Sequence, residues 1–209
     1  MFFKYVLIII NNIISFIVKY EYFLVVLMEN INKIILLVGL IGSGKTSVGK
    51  RLAKKLNLLF VDGDQEIEKA AGLSVLDVFK CFGCEEYRAG EARIMKRLLT
   101  GKPCVLASGG GAYVADQTRE IAKKNAITIW LKADIDVLYR RTAGRTRRPF
   151  LQCSDSLIKT KLQNYIDAEY PYYSEADIVV ETKNETVECT VRHVLKALET
   201  YISSRVKEL

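Results

Sequence analysis

One stretch of this sequence combines residue types that bind phosphate. Residues 39–46 read GLIGSGKT, which fits the pattern G-x-x-x-x-G-K-[ST] and directly follows the apolar run IILLV. A glycine-rich turn between a buried strand and a helix directs backbone N–H groups into one concavity, where a polyphosphate lies against the positive end of the helix dipole. In such a turn Lys45 neutralises the β- and γ-phosphates and the Thr46 hydroxyl binds Mg²⁺. The pattern predicts a nucleoside triphosphate site, whose candidate residues are Gly42, Ser43, Gly44, Lys45, Thr46 and Ser47.

Two pairs of charged residues could act beside that phosphate. Asp62 and Asp64 are carboxylates one residue apart, which suits one of them to a metal and the other to a second ligand. Arg88 and Glu91 are three residues apart, so on a helix they share a face. An arginine held by its own glutamate can bind a carboxylate of a substrate.

Two loops are also candidates. Residues 108–111 read SGGG, and the successive glycines Gly109, Gly110 and Gly111 permit close approach of the backbone to a ligand. Residues 144–155 form a long basic segment that holds Arg145, Arg147 and Arg148. We expect this segment to be a lid that brings cations to a transferring phosphoryl group. Taken singly, the four clusters have ordinary explanations: a turn, a surface ion pair, a tight loop and a solvated face.

Strand and helix patterns alternate along the chain and must position these residues. Unbroken apolar runs predict buried strands at 34–38, 58–61, 105–107, 127–131 and 178–180. Helical spacing and end signals predict helices at 46–56, 85–99, 116–124, 134–142, 157–165 and 186–202. A further helix is predicted to begin at Ser74, because Asp77 follows it at the spacing of a capping box. Such alternation predicts an α/β fold with a parallel, doubly wound sheet, whose ligands bind at the carboxyl ends of the strands.

The order of the motifs, GLIGSGKT, D-x-D, R-x-x-E, GGG and the arginine–proline segment, resembles the shikimate kinases over nearly all of 28–209. The resemblance implies a P-loop kinase fold of the nucleoside-monophosphate-kinase type, with a five-stranded parallel sheet in the order 2-3-1-4-5, helices on both faces and a lid. It implies transfer of the ATP γ-phosphate to the 3-hydroxyl of shikimate, with Mg²⁺, in the pathway to chorismate and the aromatic amino acids.

The same resemblance implies roles for individual residues. On the nucleotide side, Lys45 binds the phosphates, and Thr46 and Asp62 bind the metal. Arg141 lies near adenine, and Arg148 closes from the lid as a catalytic cation. Asp62 also supports the reacting hydroxyl. On the substrate side the implied residues are Asp64 for the ring hydroxyls, Arg88 and Glu91 for the carboxylate, and Gly109, Gly110 and Gly111 for backbone contacts.

One position departs from the family pattern. The family carries an arginine in an R-x-P-x-Y segment, and the matching residues here read EYPYY, which places Glu169 where that arginine would be the second arm of the carboxylate clamp. The enzyme is then weak, its substrate differs, or a lysine such as Lys159 or Lys161 substitutes. The other readings are a gluconate-type small-molecule kinase and a nucleotide-binding, kinase-like protein with impaired catalysis.

Composition limits the partners and the compartment. The net charge is +7, from 31 basic and 24 acidic residues, but the arginines cluster between 140 and 148 rather than along a stripe with aromatics. Such clustering favours small anionic ligands over nucleic acid. Five irregularly spaced cysteines and the need for ATP predict the cytoplasm, and we expect a monomer. Cys81 and Cys84 have a metal-type spacing, but the sequence has no second such pair, so we expect a structural role for them; we expect no catalytic role for His193, the single histidine.

The first 27 residues have a different composition from the rest. They are apolar but interrupted by polar residues such as Asn11, Asn12 and Lys19, so no window reaches the ~18 clean apolar residues of a spanning helix. We expect residues 1–27 to be a hydrophobic extension from a mis-assigned start, with Met28 as the true start and 28–209 as the kinase-like domain. A membrane-surface anchor is the second interpretation.

Overall fold

The apolar run that precedes the phosphate-binding motif forms the central strand of the sheet. In this computed structural model, which describes residues 32–142 and 155–206, the strands are β1 (Ile34–Val38), β2 (Phe60–Asp62), β3 (Val105–Ala107), β4 (Ala126–Ala133) and β5 (Ile178–Thr182). All pairings are parallel and the order is β2-β3-β1-β4-β5. This order and the α/β class confirm the prediction. The extension 1–27 and the three arginines of the expected lid, Arg148 included, lie outside the described residues.

Seven helices connect or flank the described strands. They are α1 (Lys45–Lys55), α2 (Gly63–Ala71), α3 (Val75–Leu99), α4 (Asp116–Asn125), α5 (Ile135–Thr142), α6 (Asp155–Tyr173) and α7 (Val187–Val206), with a short 3₁₀ turn at Ala112–Val114. Within the described ranges, no helix is both long enough and apolar enough to cross a membrane.

Alternate residues of β1 point to opposite faces of the sheet, and each face carries its own core. Ile35 and Leu37 pack among residues of α1 and α7, such as Leu52 and Val194. Ile34, Leu36 and Val38 pack on the other face, against residues of α3 to α6. Every residue of β1 is at most 2% exposed. A parallel strand covered by helices on both faces must be apolar throughout, which is why the sequence shows no alternation there.

A third, smaller core lies outside these two layers. Ile67 on α2 and Val78 and Tyr87 on α3 form it, with partly buried neighbours around them. We call these three residues the satellite core. Between Val78 and Tyr87, α3 kinks at Gly83, whose φ of 80° is a left-handed value that glycine adopts without strain.

The elements differ from the sequence prediction in two places. Helix α2 was not predicted, because the Asp62-Gly63-Asp64 segment resembles a turn; in fact the Asp62 side chain accepts from the Asp64 N–H and caps the helix. The two helices expected before and after Gly83 are present within α3, since the backbone of Gly83 is not helical and separates them. Helix α6 continues past the predicted 165 to Tyr173 and includes Pro171 in its last turn.

Candidate active site

The phosphate-binding motif lies between the carboxyl end of β1 and α1, as predicted. Gly44 caps α1 with a φ of 102°, so the first N–H groups of the helix open toward the loop. The Lys45 ammonium donates to the carbonyl oxygens of Gly39 at 2.6 Å and Leu40 at 3.1 Å, within its own loop. The cation is therefore held by carbonyl oxygens of the loop that precedes it.

Thr46 and Asp62 meet across the sheet edge. The Thr46 hydroxyl donates to Asp62 Oδ2 at 2.8 Å. Strand β2 ends at Asp62, and its pairing with β3 carries the carboxylate to the edge where β1 also ends. A hydroxyl and a carboxylate oxygen side by side beside a phosphate loop are hard donors of the kind that Mg²⁺ prefers.

A pocket of about 280 Å³ opens over this loop. It brings together ten of the predicted residues: Gly42, Ser43, Gly44, Lys45, Thr46, Ser47, Asp62, Asp64, Gly110 and Arg141. Two buried hydroxyls on its wall, Ser43 Oγ and Ser108 Oγ, have no hydrogen-bond partner among the described residues. Buried polar groups are normally paired, so these two atoms are suited to a polar ligand or to water.

Sequence reasoning missed one wall of the pocket. Glu185, Val187 and Thr190 line it, from the segment after β5 and the first turn of α7. A signal was present, because the carboxyl end of β5 belongs to the same sheet edge as the phosphate loop.

Arg141 connects that wall to the phosphate loop. Its guanidinium donates to the carbonyl oxygens of Ser43 at 3.2 Å and Lys183 at 2.8 Å. Burial lowers the pKa of Arg141, partly offset by the carboxylate of Glu185. The side chain therefore holds two loops together and places a cation at the rim of the pocket.

The predicted Arg88–Glu91 pair forms on α3. Arg88 Nη1 donates to Glu91 Oε2 at 2.6 Å and to the Gly110 carbonyl at 3.2 Å. Glu91 is 3% exposed, whereas the Arg88 side chain is 41% exposed, so the cation faces solvent while its partner is buried. Burial raises the pKa of Glu91 against the opposing effect of Arg88. Burial would lower the pKa of Arg88, but Glu91, Tyr87 and Glu169 outweigh it and the pKa is raised.

The three glycines differ in what surrounds them. A Cβ at Gly109 would stand 2.7 Å from Glu91 Oε1 and 2.8 Å from Asp64 Oδ1, so this glycine lets two carboxylates approach the backbone. A Cβ at Gly111 would stand 2.9 Å from both Nη atoms of Arg88, and its φ is 86°. Gly110 has nothing within 4 Å of the corresponding position and faces the pocket.

Glu169 lies on the Arg88 side of the site. Its carboxylate is among the charges that raise the pKa of Arg88. Glu169 Oε2 also accepts from the hydroxyl of the buried Tyr173 at 2.6 Å. Burial, together with Glu169, raises the pKa of that tyrosine, so its hydroxyl keeps its proton and remains a donor. Glu169 is therefore fixed in place one helical turn from its partner on α6.

Comparison with known proteins agrees with this geometry. The family model for shikimate kinase matches residues 41–199. A shikimate kinase from Paramagnetospirillum magneticum is 46% identical over 84% of this chain and 89% of its own length. The structure of shikimate kinase from Acinetobacter baumannii in complex with shikimate superposes with a TM-score of 0.78, at 31% identity, over 81% of this chain and 94% of that one.

The gluconate-type alternative has weaker support. A gluconokinase from Sinorhizobium meliloti superposes with a TM-score of 0.56 at 22% identity, over 85% of this chain and 97% of that one. At that identity the likeness concerns the fold alone. The family model and the close relatives instead place the chain in the shikimate kinase family, to which it belongs.

Proposed function

We propose that this chain transfers the γ-phosphoryl group of ATP to the 3-hydroxyl of shikimate, releasing ADP. The observation that carries the proposal is the position of Arg88. Its half-exposed guanidinium is fixed by a buried glutamate and by the Gly110 carbonyl, at the same sheet edge as the phosphate loop. A small anionic acceptor held there lies next to a nucleotide held by the loop, which is the arrangement that phosphoryl transfer needs.

On the acceptor side, we assign the substrate carboxylate to Arg88, with Glu91 as the residue that orients it. Asp64 lines the pocket beside Gly109 and Gly110, where a carboxylate can accept from ring hydroxyls. The backbone of Gly109, Gly110 and Gly111 completes this side.

On the nucleotide side, we assign the phosphates to the backbone of residues 42–47 and to the Lys45 ammonium. This ammonium would exchange one or both of its loop carbonyls for phosphate oxygens. Arg141 stands at the rim, where adenine is expected. Arg148 remains a proposal from the family resemblance, as the closing cation.

Thr46 and Asp62 fit Mg²⁺, because their oxygens already lie 2.8 Å apart beside the loop. Bound there, Mg²⁺ supplies neutralisation of the charge on the β- and γ-phosphates. During transfer the bond from the γ-phosphorus to the β–γ bridging oxygen breaks and a bond to the substrate oxygen forms. Asp62 takes up the hydroxyl proton or passes it to solvent. A loose transition state requires little base catalysis, so positioning and charge neutralisation account for most of the rate.

A coupled assay of ADP release with shikimate, Mg²⁺ and ATP tests the proposal, with phosphorus NMR to locate the new phosphate ester. We expect ADP release that depends on shikimate and a product esterified at the 3-oxygen. Release with gluconate instead of shikimate would contradict the proposal.

The Lys45→Ala variant should lose turnover at an unchanged melting temperature, since the lysine contributes a point charge and little to the core. Lys50→Ala, an exposed lysine on the same helix, is the matched control and should retain activity. Unaltered turnover in Lys45→Ala would remove the phosphate-loop assignment.

We place this reaction in the cytoplasm and expect the protein to act as a monomer. The need for ATP supports that compartment, as do the four cysteines of the described ranges, which are free thiols. Sedimentation of the purified protein at assay concentration tests the monomer, and a dimer mass would contradict it.

A further inference from the structure

Three side chains of different chemistry converge beside the nucleotide pocket. Cys189 and His193 are four residues apart on α7 and share one face of the helix, and Glu185 lies in the segment just before it. One ligand atom from each, a carboxylate oxygen, the Sγ atom and an imidazole nitrogen, lie within 4.8 Å of one another. His193 Nδ1 is 3.4 Å from Glu185 Oε1.

This donor set selects a class of ion. Nitrogen, thiolate sulfur and carboxylate oxygen together are typical ligands of Zn²⁺, whereas Mg²⁺ prefers oxygen alone. Around a tetrahedral ion bound at about 2.0–2.3 Å, neighbouring ligand atoms lie roughly 3–4 Å apart. The three donors therefore need only small side-chain rotations to reach such a geometry, and a fourth position remains for water.

We propose that Glu185, Cys189 and His193 bind Zn²⁺ or a similar transition-metal dication, and that the bound ion strengthens nucleotide binding. The thiol releases its proton to solvent when the ion binds. The His193 side chain is 53% exposed, which gives the ion a route from solvent, and the Glu185 side chain is 18% exposed.

The link to the nucleotide runs through Glu185 and its neighbours. Glu185 Oε1 accepts from the Thr190 hydroxyl at 3.0 Å, and both residues line the nucleotide pocket. The carboxylate also acts electrostatically on Arg141 at the rim. Once the thiol has lost its proton, the charge of the dication is offset by the carboxylate and the thiolate together, so the net negative charge beside the pocket is neutralised and repulsion of anionic phosphates is reduced. We expect roughly fivefold tighter binding of nucleotide, and by reciprocity the same factor for the ion.

Titration with Co²⁺, in excess Mg²⁺ and without nucleotide, tests the site. The background is Cys81→Ser/Cys84→Ser, which removes the two exposed cysteines on α3. We expect a thiolate-to-cobalt absorption band that saturates at one equivalent and is abolished by Zn²⁺. The band should be lost in Cys189→Ser and in His193→Gln. Absence of the band in the background variant, or its persistence in Cys189→Ser, would overturn the site.

Calorimetry with MgADP, with and without one equivalent of Zn²⁺, tests the coupling, which rests on the proposed nucleotide site. The background variant should bind MgADP about fivefold more tightly with Zn²⁺, and His193→Gln should show no difference. Equal affinities in the background variant would overturn the coupling. Failure of MgADP to bind under either condition would overturn both the coupling and the proposed function, while the cobalt band would still decide the metal site.

Discussion

Arg88 depends on its surroundings for the direction in which its guanidinium points. Glu91 holds one nitrogen of the guanidinium, the Gly110 carbonyl accepts from the same nitrogen, and a Cβ at position 111 would collide with the group. The R-x-x-E and GGG motifs are thus parts of one structure, although they are about twenty residues apart in sequence.

Glu169 should weaken binding of an anionic substrate, and replacing it should strengthen binding. Glu169→Arg supplies a second clamp arm, so KM for shikimate should fall about tenfold, or ~1.4 kcal/mol. Glu169→Gln removes the repulsion but adds no cation, and should give a smaller decrease. KM for ATP should stay constant in both, because the nucleotide binds elsewhere, and Arg88→Ala should raise KM for shikimate. Steady-state kinetics measure these values. If neither change at 169 alters KM for shikimate, Glu169 does not face the substrate.

Gly111 and Gly110 should respond differently to alanine. At Gly111 a side chain must adopt φ of 86° and displace Arg88, so Gly111→Ala should lower the free energy of unfolding by ~1–2 kcal/mol or more. Gly110→Ala meets open space and should stay within about 0.5 kcal/mol of the parent. Guanidinium unfolding of both variants gives the comparison, and equal losses would contradict the role assigned to the Gly111 conformation.

As pH falls, substrate binding should begin to weaken at a higher pH than the pKa of an ordinary glutamate would predict. Since burial raises the pKa of Glu91, its carboxylate takes up a proton, and loosens Arg88, above the ordinary value of about 4.3. KM for shikimate should therefore rise as pH falls through that raised pKa, and Glu91→Gln should remove this dependence.

The effect of Glu91 on stability has the opposite sign. When the pKa of a group is higher in the folded than in the unfolded state, the group contributes to the free energy of unfolding. This contribution is fully present below the unfolded-state pKa and is lost as pH rises through the folded-state pKa. Acidification should thus impair substrate binding without loss of the stability contributed by this residue. An acidic limb of KM that is unchanged in Glu91→Gln would contradict the assignment.

At the scale of elements, Gly49 controls how closely α1 approaches β2. A Cβ there would stand 2.5 Å from the ring of Phe60 and 3.1 Å from Leu37. Alanine improves helix propensity by up to ~1 kcal/mol, but overpacking costs ~1–3 kcal/mol. Gly49→Ala should therefore lower the melting temperature by several degrees. It should also reduce turnover, because Thr46 and Asp62 stand on the two elements that are pushed apart.

A double variant separates this clash from other effects. Phe60→Leu should recover part of the lost stability and turnover when combined with Gly49→Ala, measured as a coupling energy in a double-mutant cycle. Additive effects of the two substitutions would contradict the proposed contact.

Local patterns predicted the elements well where one cause dominates. The apolar run of β1 and the glycine-rich turn after it leave few alternatives, and Ser74 caps α3 as its spacing with Asp77 predicts. Helix α2 was not predicted because an aspartate that caps a helix cannot be distinguished in the sequence from an aspartate that binds a ligand. The wall formed by Glu185 and Thr190 was missed because the end of β5 indicates only the sheet edge; which residues line the pocket depends on the packing of α7 against α1, over a hundred residues away in the chain.

At the scale of the whole molecule, the strand order came from the family resemblance rather than from the residues, and the structure confirms it. The alternation of strand and helix predicts a parallel sheet but is compatible with more than one order. The lid and residues 1–27 remain predictions, since they lie outside the described residues.

The position of the satellite core implies that the two halves of the active site differ in how readily they open. Strand β1 is hydrogen-bonded on both sides and buried on both faces, whereas α2 and the first half of α3 rest on three buried residues and contain a kink. Local unfolding should therefore release the segment around Gly83 at a lower free energy than the strand that carries the phosphate loop. Amide hydrogen exchange should show slow, global exchange in β1 and faster, sub-global exchange at 75–86; equal protection would contradict this. Mild heat or denaturant should then abolish binding of the acceptor before binding of the nucleotide, and bound shikimate should protect the segment that opens first.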